Sequence, residues 1–222
     1  METTIRHKGP HLGLLATLFM LLFITGLCFV ISLTGVPPYY PGPWESASTI
    51  LQYFHNQRDD VLMCAFFQFC SAIPLGIFTA SVVSRMGFLG SNAAGKHIAL
   101  FGGFTAAVNL ILSSFLLWVM TVPELSAYDQ VIHTLYYLVF IIGGVGYSVL
   151  LGLLIAGIAV TSLFMKTLPK WMAIAGIILA LVGELSCLSM IFPKLLPLIP
   201  LIRFPGFIWL VLVGFKMPKS AR

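Results

Sequence analysis

The sequence predicts an all-α membrane protein with six spanning helices in one bundle, and three observations support that prediction. Hydrophobic residues make up 59% of the 222 residues and charged residues only 9%, and the mean hydropathy is +1.02. A soluble domain of this length needs more polar residues to cover its surface. Long apolar runs recur along the whole chain, and basic residues lie beside alternate runs.

Six apolar runs are long enough to cross a hydrocarbon core of roughly 30 Å, which takes about 20 helical residues. They are predicted over residues 12–33, 61–83, 98–122, 135–164, 171–192 and 198–215. The first run is too long for a cleaved signal peptide, so we expect it to remain as the first helix. We therefore expect one transmembrane domain over residues 1–222 and no separate soluble module.

The basic residues predict how the six spans are oriented. If the spans alternate in direction, nine of the twelve Lys and Arg residues share one side with both termini, namely Arg6, Lys8, Arg85, Lys96, Lys166, Lys170, Lys216, Lys219 and Arg222. The positive-inside rule makes that side cytoplasmic. The net charge of +5 is then explained by topology and by attraction to anionic lipids, so no nucleic-acid partner is expected.

The connection between the first two spans is the longest, and its second half is predicted to be helical. Residues 36–43 are too rich in proline for a regular helix. Trp44, Ala47, Leu51 and Phe54 then recur at helical spacing. This pattern predicts a short amphipathic helix in the first outer loop, lying in the membrane interface. It either covers a cavity between the spans or only stabilises the interface.

Short turns and small residues predict which helices are neighbours. The turn over residues 166–170 is so short that the fourth and fifth spans are expected to be antiparallel neighbours, with Pro169 at the boundary. Glycine and alanine are frequent in the third to fifth spans. Small residues about four positions apart let helix backbones pack closely in a membrane.

Four polar side chains fall at a similar depth in the predicted spans. Counted at 1.5 Å per residue, Glu184 and Arg203 both lie roughly 20 Å from the cytoplasmic side, Asn109 reaches the same level, and Gln68 lies about one turn further out. Because an isolated charge inside a membrane is costly, we expect Glu184 and Arg203 to pair, with the two amides as donors. Four prolines between residues 193 and 205 are expected to break the backbone around Arg203. The pair either locks two spans together or lines a functional cavity.

Histidines and cysteines offer no metal or cofactor site. The five histidines fall in loops or at predicted helix ends, so no pair is placed to ligate a haem inside the bundle. His55 with Asp59, Asp60 and His133 matches no compact metal-binding motif. The four cysteines lack Cys-x-x-Cys spacing and are interpreted as packing residues. We therefore expect neither a metal nor a cofactor.

Three motifs lie in the last third of the chain: LPKWMAIAG over residues 168–176, Gly183-Glu184-Leu185, and RFPGFIWLVLVG over residues 203–214. Together they resemble the C-terminal half of a bacterial six-helix membrane family described as a domain of unknown function. That family typically has a Pro-Arg/Lys-Trp turn before its fifth helix and a Trp-Leu-x-x-x-Gly pattern in its sixth. The resemblance implies a six-helix bundle in a bacterial plasma membrane and brings no established activity.

Three functions from different classes stay open. A binding or accessory protein would use Glu184, Arg203, Asn109 and Gln68 to hold a lipid-like or small amphipathic ligand, or would brace a membrane-protein partner. We favour this function because it requires the least special geometry. A proton-linked small-molecule transporter would use Glu184 as its titrating group, although no internal repeat supports it. An intramembrane enzyme would use a protonated Glu184 as general acid on an apolar substrate, although no second intramembrane carboxylate is predicted.

Overall fold

The computed structural model is helical and describes residues 6–30, 38–126 and 128–220. Six of its helices are long and apolar enough to cross a membrane, which confirms the predicted class. These spans, numbered one to six in chain order, are Leu12–Val30, Arg58–Phe88, Gly95–Val119, Asp129–Met165, Lys170–Met190 and Pro193–Lys216. The predicted end of span one, residues 31–33, lies outside the described residues.

Spans four to six are not uniform α-helices. Span four consists of an α-helix over Asp129–Val139, a π-helix over Phe140–Gly146 and an α-helix over Tyr147–Met165. Span five is α-helical over Lys170–Leu185 and ends in a 3₁₀ turn over Ser186–Met190. Span six begins with a 3₁₀ turn over Pro193–Leu195 and continues as an α-helix over Leu198–Lys216. The irregular backbone deep in the bundle therefore belongs to span four.

The prediction that prolines break the backbone around Arg203 was wrong. The helix Leu198–Lys216 runs through Arg203 and through Pro205 without interruption. Pro200 lies in the first turn, where the amide N–H has no helical acceptor, so a proline costs little there. Pro205 removes one hydrogen bond inside the helix, and the surrounding spans hold the helix together across that gap. The interruption falls earlier in the chain, between spans five and six.

The spans form a closed ring in which each packs against the next, and span six packs against span one. Spans four and five are neighbours, as the short turn predicts. Lys166 ends span four with a left-handed backbone, φ 54°, and span five starts directly after Pro169. The small residues also act as predicted, because a Cβ at Gly157 would lie 2.4 Å from the backbone nitrogen of Ala99 on span three.

Buried apolar side chains inside the ring form two separate clusters. The larger one, here called the main core, surrounds Phe23, Tyr147 and Phe207, whose rings are in contact. The smaller one, here called the loop core, includes Tyr53, Phe54 and Tyr136 and other residues where the first loop meets the spans. The main core and the loop core therefore occupy different levels along the axis of the ring.

The helix predicted in the first loop is present as Ala47–Asn56, here called the loop helix. Ser46 caps its N-terminus by accepting a hydrogen bond from a backbone N–H. The buried face consists of Ile50, Tyr53 and Phe54, whereas Trp44 is 73% exposed. Of the residues expected on one face, Phe54 is therefore buried and Leu51 packs against the loop core. The aromatic loop core determines the rotation of the helix, and spacing alone does not reveal those contacts.

Polar contacts fasten the loop helix and the segment before it to the spans. The Tyr53 hydroxyl donates to the Val30 carbonyl over 3.1 Å, and the Tyr136 hydroxyl donates to the Pro41 carbonyl over 2.7 Å. At the surface, His55 Nε2 lies 3.2 Å from Asp129 Oδ1. This side of the ring is called the loop end below.

At the opposite side, the terminal end, the two ends of the described chain meet. Arg6 and Ser220 form a single antiparallel bridge, and His7 Nε2 hydrogen-bonds Ser84 Oγ at 3.0 Å. Burial of its ring and the neighbouring Arg85 guanidinium lower the pKa of His7. The chain ends and the connection between spans two and three therefore share one end of the bundle.

Candidate functional site

A cavity of about 200 Å³ lies inside the ring between the main core and the loop core. Spans one, two, three, four and six contribute to its wall. Its polar lining consists of Arg203, Gln68, Ser113, Tyr40 and Tyr136 together with backbone from the π-helix. Two of the four predicted site residues, Arg203 and Gln68, are therefore brought together in one space, here called the central cavity.

The Arg203 side chain is held by span four. Its Nε donates to Ser148 Oγ over 3.3 Å, and one terminal nitrogen, Nη2, donates to the carbonyls of Gly143 and of Gly144, the latter over 3.0 Å. The guanidinium carbon lies 5.1 Å from the ring centroid of Tyr147, within the range of a cation–π contact. Carbonyl dipoles, a hydroxyl and an aromatic face thus surround the positive charge.

The π-helix explains why backbone carbonyls are available to Arg203. In an α-helix each carbonyl accepts from the N–H four residues later, whereas the i→i+5 pattern of a π-helix widens the turn and is frequent at functional sites. A Cβ at Gly143 would lie 2.7 Å from the Ser113 side chain, so glycine there lets the π-helix pack closely against span three. The Ser148 hydroxyl donates to the Gly144 carbonyl over 2.8 Å, which positions its oxygen to accept from Arg203.

The two predicted amides take different places. Gln68 lines the central cavity, and its Nε2 donates over 3.4 Å to Cys64 Sγ on its own span, a weak acceptor. Asn109 does not line the cavity. Its Nδ2 donates to the carbonyl of Ile142 over 3.4 Å and contacts the π-helix at Gly146. Asn109 therefore supports the irregular backbone, while Gln68 remains available to a bound molecule.

The predicted ion pair between Glu184 and Arg203 is not formed. Glu184 lies where spans four and five meet, with Oε1 against Gly152, and that oxygen is buried without a hydrogen-bond partner. Among the described residues no carboxylate oxygen comes within 4.0 Å of the Arg203 nitrogens. Equal depth along two helices does not determine the direction in which each side chain points around its helix axis, and here the directions differ.

Two hydrogen-bond donors in the central cavity have no acceptor among the described residues. No described residue accepts a hydrogen bond from the second terminal nitrogen of Arg203, Nη1, and the hydroxyl of Tyr40 likewise has no partner in the described chain. Burial, with smaller contributions from Tyr136, Cys64 and Tyr53, raises the pKa of Tyr40 well above its usual range. Its phenol is therefore neutral and able to donate. None of the described residues that line the cavity is acidic.

An open groove of about 810 Å³ lies next to the central cavity at the loop end. One wall is the segment 40–44 and the other is the segment 193–200. Tyr40, Tyr136, Phe140 and Ile199 line both spaces, so these four side chains separate the cavity from the groove. Lys194 is the charged residue in its lining. We call this surface the loop groove.

Comparison of the chain with protein-family models, with curated proteins and with solved structures finds no match. The resemblance to a six-helix family of unknown function therefore stays a prediction. The class of protein that the fold defines is a multi-pass helical membrane protein.

Sequence reasoning missed most of the site that surrounds Arg203. It did not identify Gly143, Gly144 or Ser148 as partners, nor Tyr40 and Tyr136 as walls of the cavity. One signal was present, because the run Phe-Ile-Ile-Gly-Gly-Val-Gly at residues 140–146 places three glycines within four positions. So many small residues in one turn of a spanning helix indicate that another group approaches its backbone.

Proposed function

We propose that this chain is an integral membrane binding protein whose central cavity holds a small amphipathic ligand. The observation that carries the proposal is Arg203, a cation in the ring interior that lines a cavity and contacts no carboxylate among the described residues. A charge at membrane depth is costly and usually marks a functional site. Ligand pockets typically combine mostly apolar walls with a few convergent polar groups, and the central cavity has that composition.

A filled-cavity variant tests the proposal directly. Val139 lines the central cavity, so Val139→Phe places a ring where the ligand would lie, whereas the adjacent Leu138 is 43% exposed on the outside of the ring and Leu138→Phe serves as the matched control. Each protein is purified in mild detergent and analysed by native mass spectrometry. We expect wild type and Leu138→Phe to retain a small amphiphile and Val139→Phe to lose it. Retention by Val139→Phe, or an empty wild type, would contradict the proposal.

The proposal includes an orientation and a membrane. The terminal end would face the cytoplasm, because nine basic residues fall on that side of the alternating spans, and the loop end with the loop helix would lie at the outer interface. The resemblance in the last third of the chain implies a bacterial plasma membrane, and we include that membrane in the proposal. Reporter fusions after Arg222 and within residues 126–130 should report opposite compartments. Reporters in the same compartment would refute the arrangement.

A proton-linked transporter is the second candidate, and the observation that favours it is Glu184. Its Oε1 is buried without a hydrogen-bond partner, and it lies away from the central cavity, so the two sites could be used separately. Dicyclohexylcarbodiimide reacts with protonated carboxyl groups in apolar surroundings. We expect it to modify Glu184 and to leave a Glu184→Gln variant and the exposed Glu124 unmodified. No modification at Glu184 would remove this candidate.

A further inference from the structure

We infer that the ligand is a single-chain amphiphile with an anionic headgroup, a carboxylate or a phosphate, whose head lies in the central cavity and whose chain lies in the loop groove. This inference rests on the proposed function and adds the chemical class of the ligand. Three observations carry it: the unbalanced charge of Arg203, the unused donors beside it, and the adjoining groove.

The charge of Arg203 is solvated but not neutralised. Two glycine carbonyls, the Ser148 hydroxyl and the Tyr147 ring satisfy part of the guanidinium, yet none of these groups is an anion. An arginine cannot lose its proton in a protein, and its fork of N–H donors matches the geometry of a carboxylate or phosphate. An anion in the central cavity would therefore receive a charge-assisted hydrogen bond that no described residue now uses.

The other polar groups of the cavity also favour a negatively charged headgroup. Tyr40 contributes a neutral hydroxyl without a partner in the described chain, and the Gln68 amide makes a single weak contact. Because none of the described residues lining the cavity carries a carboxylate, a cationic headgroup would meet the positive charge of Arg203 with no anion beside it. Two positive charges inside one small cavity repel strongly, because the dielectric constant there is low.

The volumes of the central cavity and the loop groove indicate which part of the ligand each space holds. Since one water molecule occupies roughly 30 Å³ of liquid, a cavity of about 200 Å³ holds a headgroup and the first few carbons of a chain but not a long hydrocarbon chain. The loop groove, at about 810 Å³, is large enough for a chain, and its walls are rich in proline and aromatic residues. Tyr40 and Tyr136 stand between the two spaces, so the ligand would pass them where head and chain join. Lys194 at the groove attracts an approaching anion.

Headgroup selectivity tests the inference. The full chain is placed in phosphatidylcholine nanodiscs, and the thermal unfolding midpoint is followed while decanoate, decyl phosphate, decyltrimethylammonium, 1-decanol or acetate is added. We expect decanoate or decyl phosphate to bind at least tenfold more tightly than the cationic and neutral compounds of the same chain length. Acetate should bind far more weakly than decanoate, because it lacks the chain. The better of the two anions identifies the headgroup.

Variants of Arg203 separate its charge from its packing. Arg203→Gln should reduce the affinity for the preferred anion about tenfold and leave the weak binding of 1-decanol unchanged. Arg203→Lys keeps the charge but loses the fork of N–H donors, so it should retain the preference for anions at a lower affinity. Arg58 is the matched control, since it lies at the loop end and donates to the Thr121 carbonyl but does not line the cavity. Arg58→Gln should bind as wild type does.

The outcomes distinguish this inference from the proposed function. If no amphiphile shifts the unfolding midpoint, the proposed binding function itself fails. Equal binding of decyltrimethylammonium, or an unchanged affinity in Arg203→Gln, would leave a binding protein but refute an anionic ligand. If acetate binds as tightly as decanoate, the loop groove has no part in binding. Should Arg203→Gln fail to fold, the selectivity of the wild type and of Arg203→Lys decides the question.

Discussion

Arg203 is expected to be energetically coupled to Ser148 and independent of Glu184, and a pair of double-mutant cycles measures both relations. The first cycle combines Arg203→Gln with Ser148→Ala, which removes the hydroxyl that accepts from Arg203 and donates to the Gly144 carbonyl. The second cycle combines Arg203→Gln with Glu184→Gln. Each isolates the interaction between two side chains from the effect of losing either one.

The single variants show why the cycle is needed. Arg203→Gln loses charge-assisted hydrogen bonds to two carbonyls and to the Ser148 hydroxyl, about 1.5 to 3 kcal/mol each, but it also removes a buried charge that costs roughly 2.5 to 3.5 kcal/mol. The free energy of unfolding therefore falls by about 1 to 6.5 kcal/mol, a range that does not identify the partner of Arg203. Ser148→Ala, at a fully buried position, should lower it by about 1 to 3 kcal/mol because two hydrogen bonds are lost.

Equilibrium unfolding in mixed micelles, titrated with sodium dodecyl sulfate and followed by tryptophan fluorescence, gives the free energies. We expect a coupling of about 0.5 to 3 kcal/mol between Arg203 and Ser148, and additivity within about 0.5 kcal/mol for Arg203 and Glu184. Ser114→Ala is the control, because Ser114 is equally buried and bonds to a carbonyl of its own helix. Coupling of Arg203 to Glu184 beyond that limit, or none to Ser148, would refute the geometry described above.

Two further pairs of variants test the packing of the ring and the attachment of the loop. Gly157→Ala would place a methyl group 2.4 Å from backbone atoms of span three and should lower the free energy of unfolding by about 1 to 3 kcal/mol. In the control Gly76→Ala the new methyl group meets nothing within 4 Å, so the free energy of unfolding should rise by up to about 1 kcal/mol. Equal effects of the two variants would contradict the close approach of spans three and four. Tyr136→Phe removes a buried hydrogen bond of 2.7 Å to Pro41 and should speed hydrogen exchange in residues 38–46, while Tyr137→Phe, which removes an exposed contact of 3.4 Å, should not. Unchanged exchange in Tyr136→Phe would show that this bond does not fasten the loop.

The spans could be predicted from the sequence because one physical quantity determines them. Crossing a membrane requires about 20 consecutive apolar residues, and such runs are visible without knowledge of any contact. The short turn at Pro169 likewise determined that spans four and five are neighbours. These features depend on residues that are adjacent in the chain, and the structure confirms them.

The site could be predicted only in part, because it depends on directions around the helix axes. Depth counting identified Arg203 and Gln68, which do share the central cavity, but it paired Arg203 with Glu184. The Glu184 side chain lies in the contact between spans four and five, where Gly152 leaves room for it. Two of the groups that accept from Arg203 are backbone carbonyls, which every residue carries and which become available only where the helix changes its hydrogen-bond pattern. Residue types alone do not reveal such a change.

The sequential ring has a consequence for biosynthesis. Spans two to five can each pack against the span made before them, but the central cavity stays open on one side until span six arrives. Arg203 lies on span six, and the groups that accept its hydrogen bonds lie on span four. The arginine must therefore enter the membrane before its carbonyl partners reach it, so docking of span six both seals the ring and relieves the cost of inserting the charge. A chain that stops before this step would leave the Gly143 and Gly144 carbonyls without the donor that Arg203 supplies.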